Sequence, residues 1–256
     1  MSNTALITGA SSGIGREFAR YHAAKGGDLI ITARRGNKLN ELKDELENKH
    51  GIKVKTIPLD LGAHGAAKAL YDATQGAQID ILINNAGFGG HGTFLDRGPE
   101  ADMSMLDLNV AALVQLCHLV GKDMVARGSG KVLNVSSTGA YQPGPLQATY
   151  FATKAFVSTL SPALDFEWRP YGVTVTTLEP GFVDTEFAQS AAMDQLSMTQ
   201  DNPAAPENVA KFGYDAMLKG KLRVINDRKM RFMLNWLVPL LPRRMVMKMV
   251  YDMQTK

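Results

Sequence analysis

Three residues near the middle of the chain could carry acid–base chemistry together: Ser137, Tyr150 and Lys154, spaced Ser-x12-Tyr-x3-Lys. The stretch around Tyr150 is apolar, alanine-rich and helix-forming, and residues four apart share one helix face. The Lys154 ammonium can therefore sit near the Tyr150 phenol and favour its ionised form. A phenol of ordinary pKa about 10 is a poor base at neutral pH, and each unit of lowering takes about 1.4 kcal/mol of preferential interaction with the phenolate. A neighbouring cation can supply that. In isolation such a pair is more often a packed ring and a solvated amine, so the elements around it decide.

Apolar, β-rich runs at 5–8, 29–33, 54–59, 79–84, 131–135 and 173–178 read as strands, and 222–225 offers a seventh. Their near-continuous apolar character suits a sheet covered on both faces. Helical patterns lie between them, near 13–26, 37–50, 65–76, 100–127 and 150–169. This alternation predicts right-handed crossovers and an α/β fold, a Rossmann-type doubly wound parallel sheet with helices on both faces. One domain over 1–256 is expected, since 45% apolar content can fill a sizeable core. Pro162 falls inside the Tyr150 helix, where its missing N–H should kink the chain at a cost of about 3 kcal/mol.

Two segments depart from the alternation. Residues 186–206 are polar and without a clear period, a candidate substrate loop. Residues 220–256 are apolar and basic, a candidate C-terminal lid. Pro239, Pro242, Arg243 and Arg244 interrupt that apolar run well short of the roughly 20 residues needed to span a bilayer. The stretch 219–256 holds ten Lys/Arg against Asp227 and Asp252, in a chain whose formal net charge is only +3. The total is too small to imply a nucleic-acid partner, but its concentration in the tail is a separate clue.

Other chemistry is sparse. Cys117 is the single cysteine, which excludes an intrachain disulfide and a cysteine-based zinc site. Its apolar helical setting suits a buried, inert thiol. His22, His50, His64, His91 and His118 are scattered without metal-ligand spacing, so no metal is expected. The start MSNTALITGA has no basic region followed by an apolar one, so a cytoplasmic protein is expected.

The first strand runs into Thr8-Gly9-Ala10-Ser11-Ser12-Gly13-Ile14-Gly15, followed at once by a helical pattern. Glycines at a strand-to-helix turn let the backbone approach a pyrophosphate, and the helix start supplies unpaired N–H groups and positive potential. Such residues also make ordinary turns; position after strand one favours the nucleotide reading.

The spacing of this turn resembles the T-G-x-x-x-G-x-G of the short-chain dehydrogenase/reductase family. Further segments follow in that family's order. Asn84-Asn85-Ala86-Gly87 resembles its N-N-A-G segment, while Asn109, Ser137, Tyr150 and Lys154 resemble its catalytic tetrad. Pro180-Gly181, with Val183 and Thr185, resembles its nicotinamide-side loop. The resemblance implies a cofactor site formed by Gly9, Ser11, Ser12, Gly13, Ile14, Gly15, Asn85, Ala86, Gly87, Pro180, Gly181, Val183 and Thr185, joined by Tyr150 and Lys154. Asp60, beside Leu61, resembles the residue that contacts adenine; an exposed cap before Gly62 is its competing reading. NAD-preferring members usually end the second strand in an acidic residue, whereas this chain has Ala33 and then Arg34 and Arg35. A guanidinium binds a 2′-phosphate with charge-assisted hydrogen bonds, so NADP(H) is the expected cofactor and NAD(H) the alternative. Ser12 departs from many NADP-dependent relatives, which carry a basic residue in the glycine loop.

By the same resemblance Tyr150 is the acid in carbonyl reduction and the base in alcohol oxidation. Lys154 lowers its pKa and binds the nicotinamide ribose, Ser137 orients the substrate oxygen, and Asn109 holds a relay water. The expected reaction interconverts a carbonyl and a secondary alcohol on an apolar small molecule, in a homodimer or homotetramer. A non-catalytic NADP(H)-binding redox sensor is the competing reading, which the complete tetrad disfavours. A sugar-nucleotide epimerase or dehydratase is a third, disfavoured by length and glycine spacing. The tail is read as a lid and subunit contact, or as an amphipathic segment making peripheral contact with anionic membrane.

Overall fold

A computed structural model describes residues 3–187 and 203–255. Seven parallel strands form one sheet in the order β3-β2-β1-β4-β5-β6-β7. They are β1 (Thr4–Thr8), β2 (Asp28–Ala33), β3 (Val54–Pro58), β4 (Ile81–Asn84), β5 (Gly130–Val135), β6 (Val173–Leu178) and β7 (Arg223–Val224). The doubly wound sheet expected from the alternation is therefore present, with small shifts at strand ends.

Strand side chains alternate between faces, and here both faces are apolar. Ala5, Ile7, Leu29, Ile31, Ile81, Ile83 and Leu133 enter one core cluster; Leu6, Ile30, Leu82 and Val132, from the positions between, enter the other. Helices cover both layers. The first cluster takes Phe18 and Ala19 from α1 (Gly13–Ala23) and Leu39, Leu42 and Leu46 from α2 (Gly36–His50). The second takes Leu70 from α3 (Ala66–Ala73) and Leu113, Leu116, Cys117 and Val120 from beyond β4. Each such large apolar side chain contributes about 1.5–3 kcal/mol on full burial, which is why these strands are not sided hydrophobic-in, polar-out.

The helix beyond β4 runs over Pro99–Arg127 and is the one described helix long and apolar enough to cross a membrane. Its C-terminal part instead supplies core residues to the second cluster. It consists of α4 (Pro99–Leu106), a π-helical stretch Asp107–Ala112 and α5 (Leu113–Arg127), ending at Gly128 with φ of 75°. The helix carrying Tyr150, α6 (Ala148–Trp168), stays helical through Pro162.

Three helices lie where the sequence reading named none. α7 (Pro206–Leu218) opens on Pro206 and buries Val209, Ala210, Gly213, Tyr214 and Met217 on one face. In the tail, Asp227 caps α8 (Arg228–Phe232) by accepting from the Met230 N–H at 2.8 Å. A π turn (Met233–Leu237) and a 3-10 turn (Val238–Leu240) lead to α9 (Arg243–Gln254). The candidate substrate loop lies largely outside the described residues; at its edges Val183 pairs with Ala204 in a short parallel bridge.

Candidate active site

Strand order reverses between β1 and β4, and in such sheets ligands bind beyond the strands' carboxyl ends at that reversal. A cavity of about 630 Å³ opens there. One end is the glycine turn. Gly9 and Gly13 have φ of 70° and 52°, a region that costs glycine nothing. Behind them Gly15 packs so tightly that an added Cβ would collide with the Gly9 carbonyl and the Asn85 amide. Thr8 fixes the neighbouring loop: its Oγ1 accepts from the Asn85 and Ala86 N–H groups at 3.0 and 2.9 Å. The Asn85 side chain donates back to the Thr8 carbonyl at 3.0 Å. Ser12 precedes α1 without a side-chain cap, leaving N–H groups at the helix start for an anion.

Arg34 and Arg35 line the same end. Arg35 is already engaged: it donates to Ser11 Oγ at 3.1 Å and pairs with Glu186 at 2.8 Å. Asp60 also lines the cavity, and its Oδ1 accepts from the Gly62 N–H at 3.0 Å, as a cap would. Leu61, Asn85, Ala86, Gly87, Pro180, Gly181, Val183 and Thr185 complete the wall, together with Ser11, Ser12 and Ile14. Gly15 and Asn109 stand behind it. A backbone cradle that any Cβ at Gly15 would destroy and an uncapped helix start fit the pyrophosphate of a dinucleotide cofactor.

Ser137, Tyr150 and Lys154 converge farther along the cavity. Ser137 lies two residues beyond β5, where it caps a 3-10 turn (Thr138–Tyr141) by receiving the Gly139 N–H on its Oγ at 3.1 Å. Lys154 is buried; its Nζ donates to the Val135 carbonyl at 3.0 Å and lies 5.8 Å from the Tyr150 ring centre. The expected lowering of the phenol's pKa is corrected here. Burial pushes Tyr150 up to about 12, against a hydrogen bond with Ser137 that acts the other way. Burial likewise lowers Lys154 to about 8. Four-residue spacing puts both groups on one face, but the shared low-dielectric wall disfavours either charge more than their proximity rewards it.

Asn109 sits in the π stretch, buried. Its amide donates to the Phe88 carbonyl at 2.9 Å and to Thr153 Oγ1 at 3.1 Å, and its Oδ1 accepts from the Phe88 N–H at 3.1 Å. An asparagine bonded only to its own helix is thereby ruled out. The side chain ties the loop after β4 to α6, and the widened turn is of a kind often found at functional sites.

The cavity beyond Tyr150 is apolar and is lined largely by residues no motif marks. Phe88, Phe151, Phe187, Met230, Met233, Leu234 and Met253 line it. Gln254, fully buried at the end of α9, accepts on Oε1 from Gln147 at 2.8 Å, and its carbonyl lies 3.0 Å from His91 Nε2. The tail thus closes against the start of α6 and the loop after β4. Its periodic apolar residues were the available signal. Cys117 is buried, with its thiol pushed up to about 12 by desolvation, and no group of acidic, histidine and cysteine residues among the described residues could hold a metal.

Residues 3–196 match the family model described as short chain dehydrogenase. Among curated proteins, "Very-long-chain 3-oxoacyl-CoA reductase-B" of Danio rerio is 32% identical over 189 residues, which make up 72% of this chain and 61% of that protein. "17-beta-hydroxysteroid dehydrogenase type 3" of Rattus norvegicus is 31% identical over 204 residues, 78% and 66% of the two chains. The matched region thus spans less than two thirds of these relatives' own length. A solved short-chain dehydrogenase from Sphingobium yanoikuyae in complex with NADPH superposes with a TM-score of 0.86 at 30% identity, covering 96% of this chain and 95% of that one.

Proposed function

Because the chain belongs to the short-chain dehydrogenase family, we propose that it is an oxidoreductase that interconverts a carbonyl and a secondary alcohol on an apolar substrate, using NADP(H). The observation that carries this reading is the convergence of Ser137, Tyr150 and Lys154 on one cavity whose far end is the glycine turn and Arg34 and Arg35. A nicotinamide cofactor, when bound, supplies or accepts the hydride.

The chain's own residues handle the proton and the geometry. Ser137 donates a hydrogen bond to the substrate oxygen and orients it. Tyr150, kept protonated by burial, delivers its proton to that oxygen as negative charge develops there, and recovers it in the reverse direction. Lys154, with a pKa of about 8, can exchange protons close to neutral pH from the same wall of the cavity. Asn109 holds the Phe88 loop and the catalytic helix in register. At the adenosine end, Arg34 and Arg35 select the 2′-phosphate over a bare ribose. Arg35 gives up Glu186 to do so, exchanging one anion for another.

The apolar lining supports bulky or long-chain ketones as substrates, in keeping with relatives whose names specify 3-oxoacyl thioesters and hydroxysteroids. The test is a screen of such ketones at neutral pH with NADPH and NADH in parallel. NADPH should be the better donor, and Tyr150→Phe should abolish turnover while binding NADPH as the parent does. Turnover retained in Tyr150→Phe removes that residue from the acid role; equal use of NADH removes the 2′-phosphate reading.

The tail is a lid on its inner face, through Met230, Met233, Leu234, Val250 and Met253. Its outer face exposes Phe232, Trp236, Leu240, Met245 and Met249, with Arg228, Lys229, Arg231, Arg243, Arg244 and Lys248 close in sequence. That combination supports peripheral contact of a cytoplasmic protein with anionic lipid. Phe156 and Phe166 are exposed on α6 and support self-association as a dimer or tetramer.

A further inference from the structure

The last residue before Pro180-Gly181 is Glu179, and its side chain is completely buried. A buried carboxylate is costly unless several donors satisfy it, and four converge here. Arg223 on β7 donates to Oε1 through Nη2 at 2.7 Å and Nε at 3.1 Å. Ser158 Oγ donates to the same oxygen at 2.6 Å, and the Tyr141 hydroxyl donates to Oε2 at 2.7 Å. None of these residues contributes to the acid–base steps above.

Their positions give the cluster its meaning. Tyr141 ends the short 3-10 turn Thr138–Tyr141 that Ser137 begins. Ser158 lies one helical turn beyond Lys154. Ser158 Oγ is 2.8 Å from Ser136 Oγ, which lies 2.7 Å from the Lys154 backbone carbonyl. The two serines have one proton each for three contacts. The carboxylate, as the strongest acceptor, holds the Ser158 proton, so the Ser136 proton is shared between Ser158 Oγ and the Lys154 carbonyl. The Ser136 N–H is meanwhile bonded to the Leu178 carbonyl at 2.8 Å, and the Thr138 N–H to the Pro180 carbonyl at 3.0 Å. One carboxyl group therefore fastens the turn that Ser137 caps, the helix bearing Lys154 and the loop that begins at Pro180.

We propose that Glu179 is a positioning residue: through Ser158, Ser136 and Tyr141 it sets the placement of Ser137 and Lys154 relative to the Pro180-Gly181 loop. It stands outside the residues that line the cavity, and Arg223 pairs with it inside the fold at 2.7 Å. The inference rests on the proposed chemistry, but part of its test does not.

Glu179→Gln and Ser158→Ala are compared with the parent by steady-state kinetics, NADPH calorimetry and amide hydrogen exchange of the cofactor-free protein. Ångström-scale misplacement of reacting groups costs up to about a hundredfold in rate, so kcat should fall roughly tenfold to a hundredfold, with KM and NADPH affinity changing by no more than a few-fold. Exchange should quicken over residues 136–141 while β1 stays protected. Parent-like kcat in both variants overturns the proposal, as does exchange that rises equally throughout, the mark of a purely structural role. If Glu179→Gln does not fold, Ser158→Ala decides, since it leaves the Glu179 pairs with Arg223 and Tyr141 in place. A parent protein that reduces no carbonyl would refute the chemistry, while the exchange pattern would still report on Glu179.

Discussion

Burial holds the Lys154 amine near pKa 8, below its ordinary 10.5, with its Nζ committed to the Val135 carbonyl. Between those values the unfolded chain binds a proton that the folded chain does not, so stability rises with pH across that window. Tyr150 acts oppositely: raised from 10.0 to about 12, it stays protonated in the fold while the unfolded phenol ionises, so stability falls from pH 10 toward 12. Urea denaturation of the cofactor-free protein should trace this rise and fall. Lys154→Met should remove the rising limb, raise stability at pH 7 by up to about 3 kcal/mol, and abolish turnover. A flat profile between pH 8 and 10 in the parent would contradict the assignment. Spacing put Tyr150 and Lys154 on one helix face, and the motifs around them made the pair legible. Neither could give the direction of either shift, which depends on a wall assembled from distant segments. Glu179 left a fainter trace: an acidic residue directly after an uncharged, buried strand has few reasons to be there except a buried partner.

Elements, by contrast, were readable wherever periodicity was strong. The strand runs stood out because both faces are buried, and the glycine turn because only a backbone without Cβ atoms packs as it does. Gly15→Ala should therefore abolish NADPH binding in calorimetry while leaving a folded protein, since the new Cβ would push the Gly9 carbonyl and Asn85 out of place. Binding retained within a few-fold would mean that the turn does not form the cradle. α7 went unnamed although Pro206-Glu207 is a good helix start and its buried face recurs every three or four residues. Its polar, aperiodic neighbour obscured that boundary. The tail was harder still. π and 3-10 turns between α8 and α9 break the regular helix period, so amphipathicity read along the sequence underestimates how the residues share out between cavity and surface.

At the scale of the whole molecule, the tail joins two environments. Its inner side chains wall the cavity, while Trp236 and Leu240 are 68% and 81% exposed. With a tail as basic as this one, association with anionic vesicles should be salt-sensitive and should weaken in Leu240→Glu with ketone reduction unchanged. Sedimentation showing no binding at low salt would leave the outer face without a lipid role. The inner wall has a consequence of another kind. Met230, Met233 and Met253 supply soft, unbranched thioethers to the substrate end, which can fit differently shaped apolar molecules but are also open to oxygen transfer at sulfur. Each sulfoxide would place a strong dipole in a wall that otherwise repels water. Mild peroxide treatment should accordingly raise KM for apolar ketones and leave NADPH affinity intact, with methionine sulfoxide reductase restoring the original value. A cavity walled in this way would then hold apolar molecules more or less tightly according to the oxidative state of its surroundings.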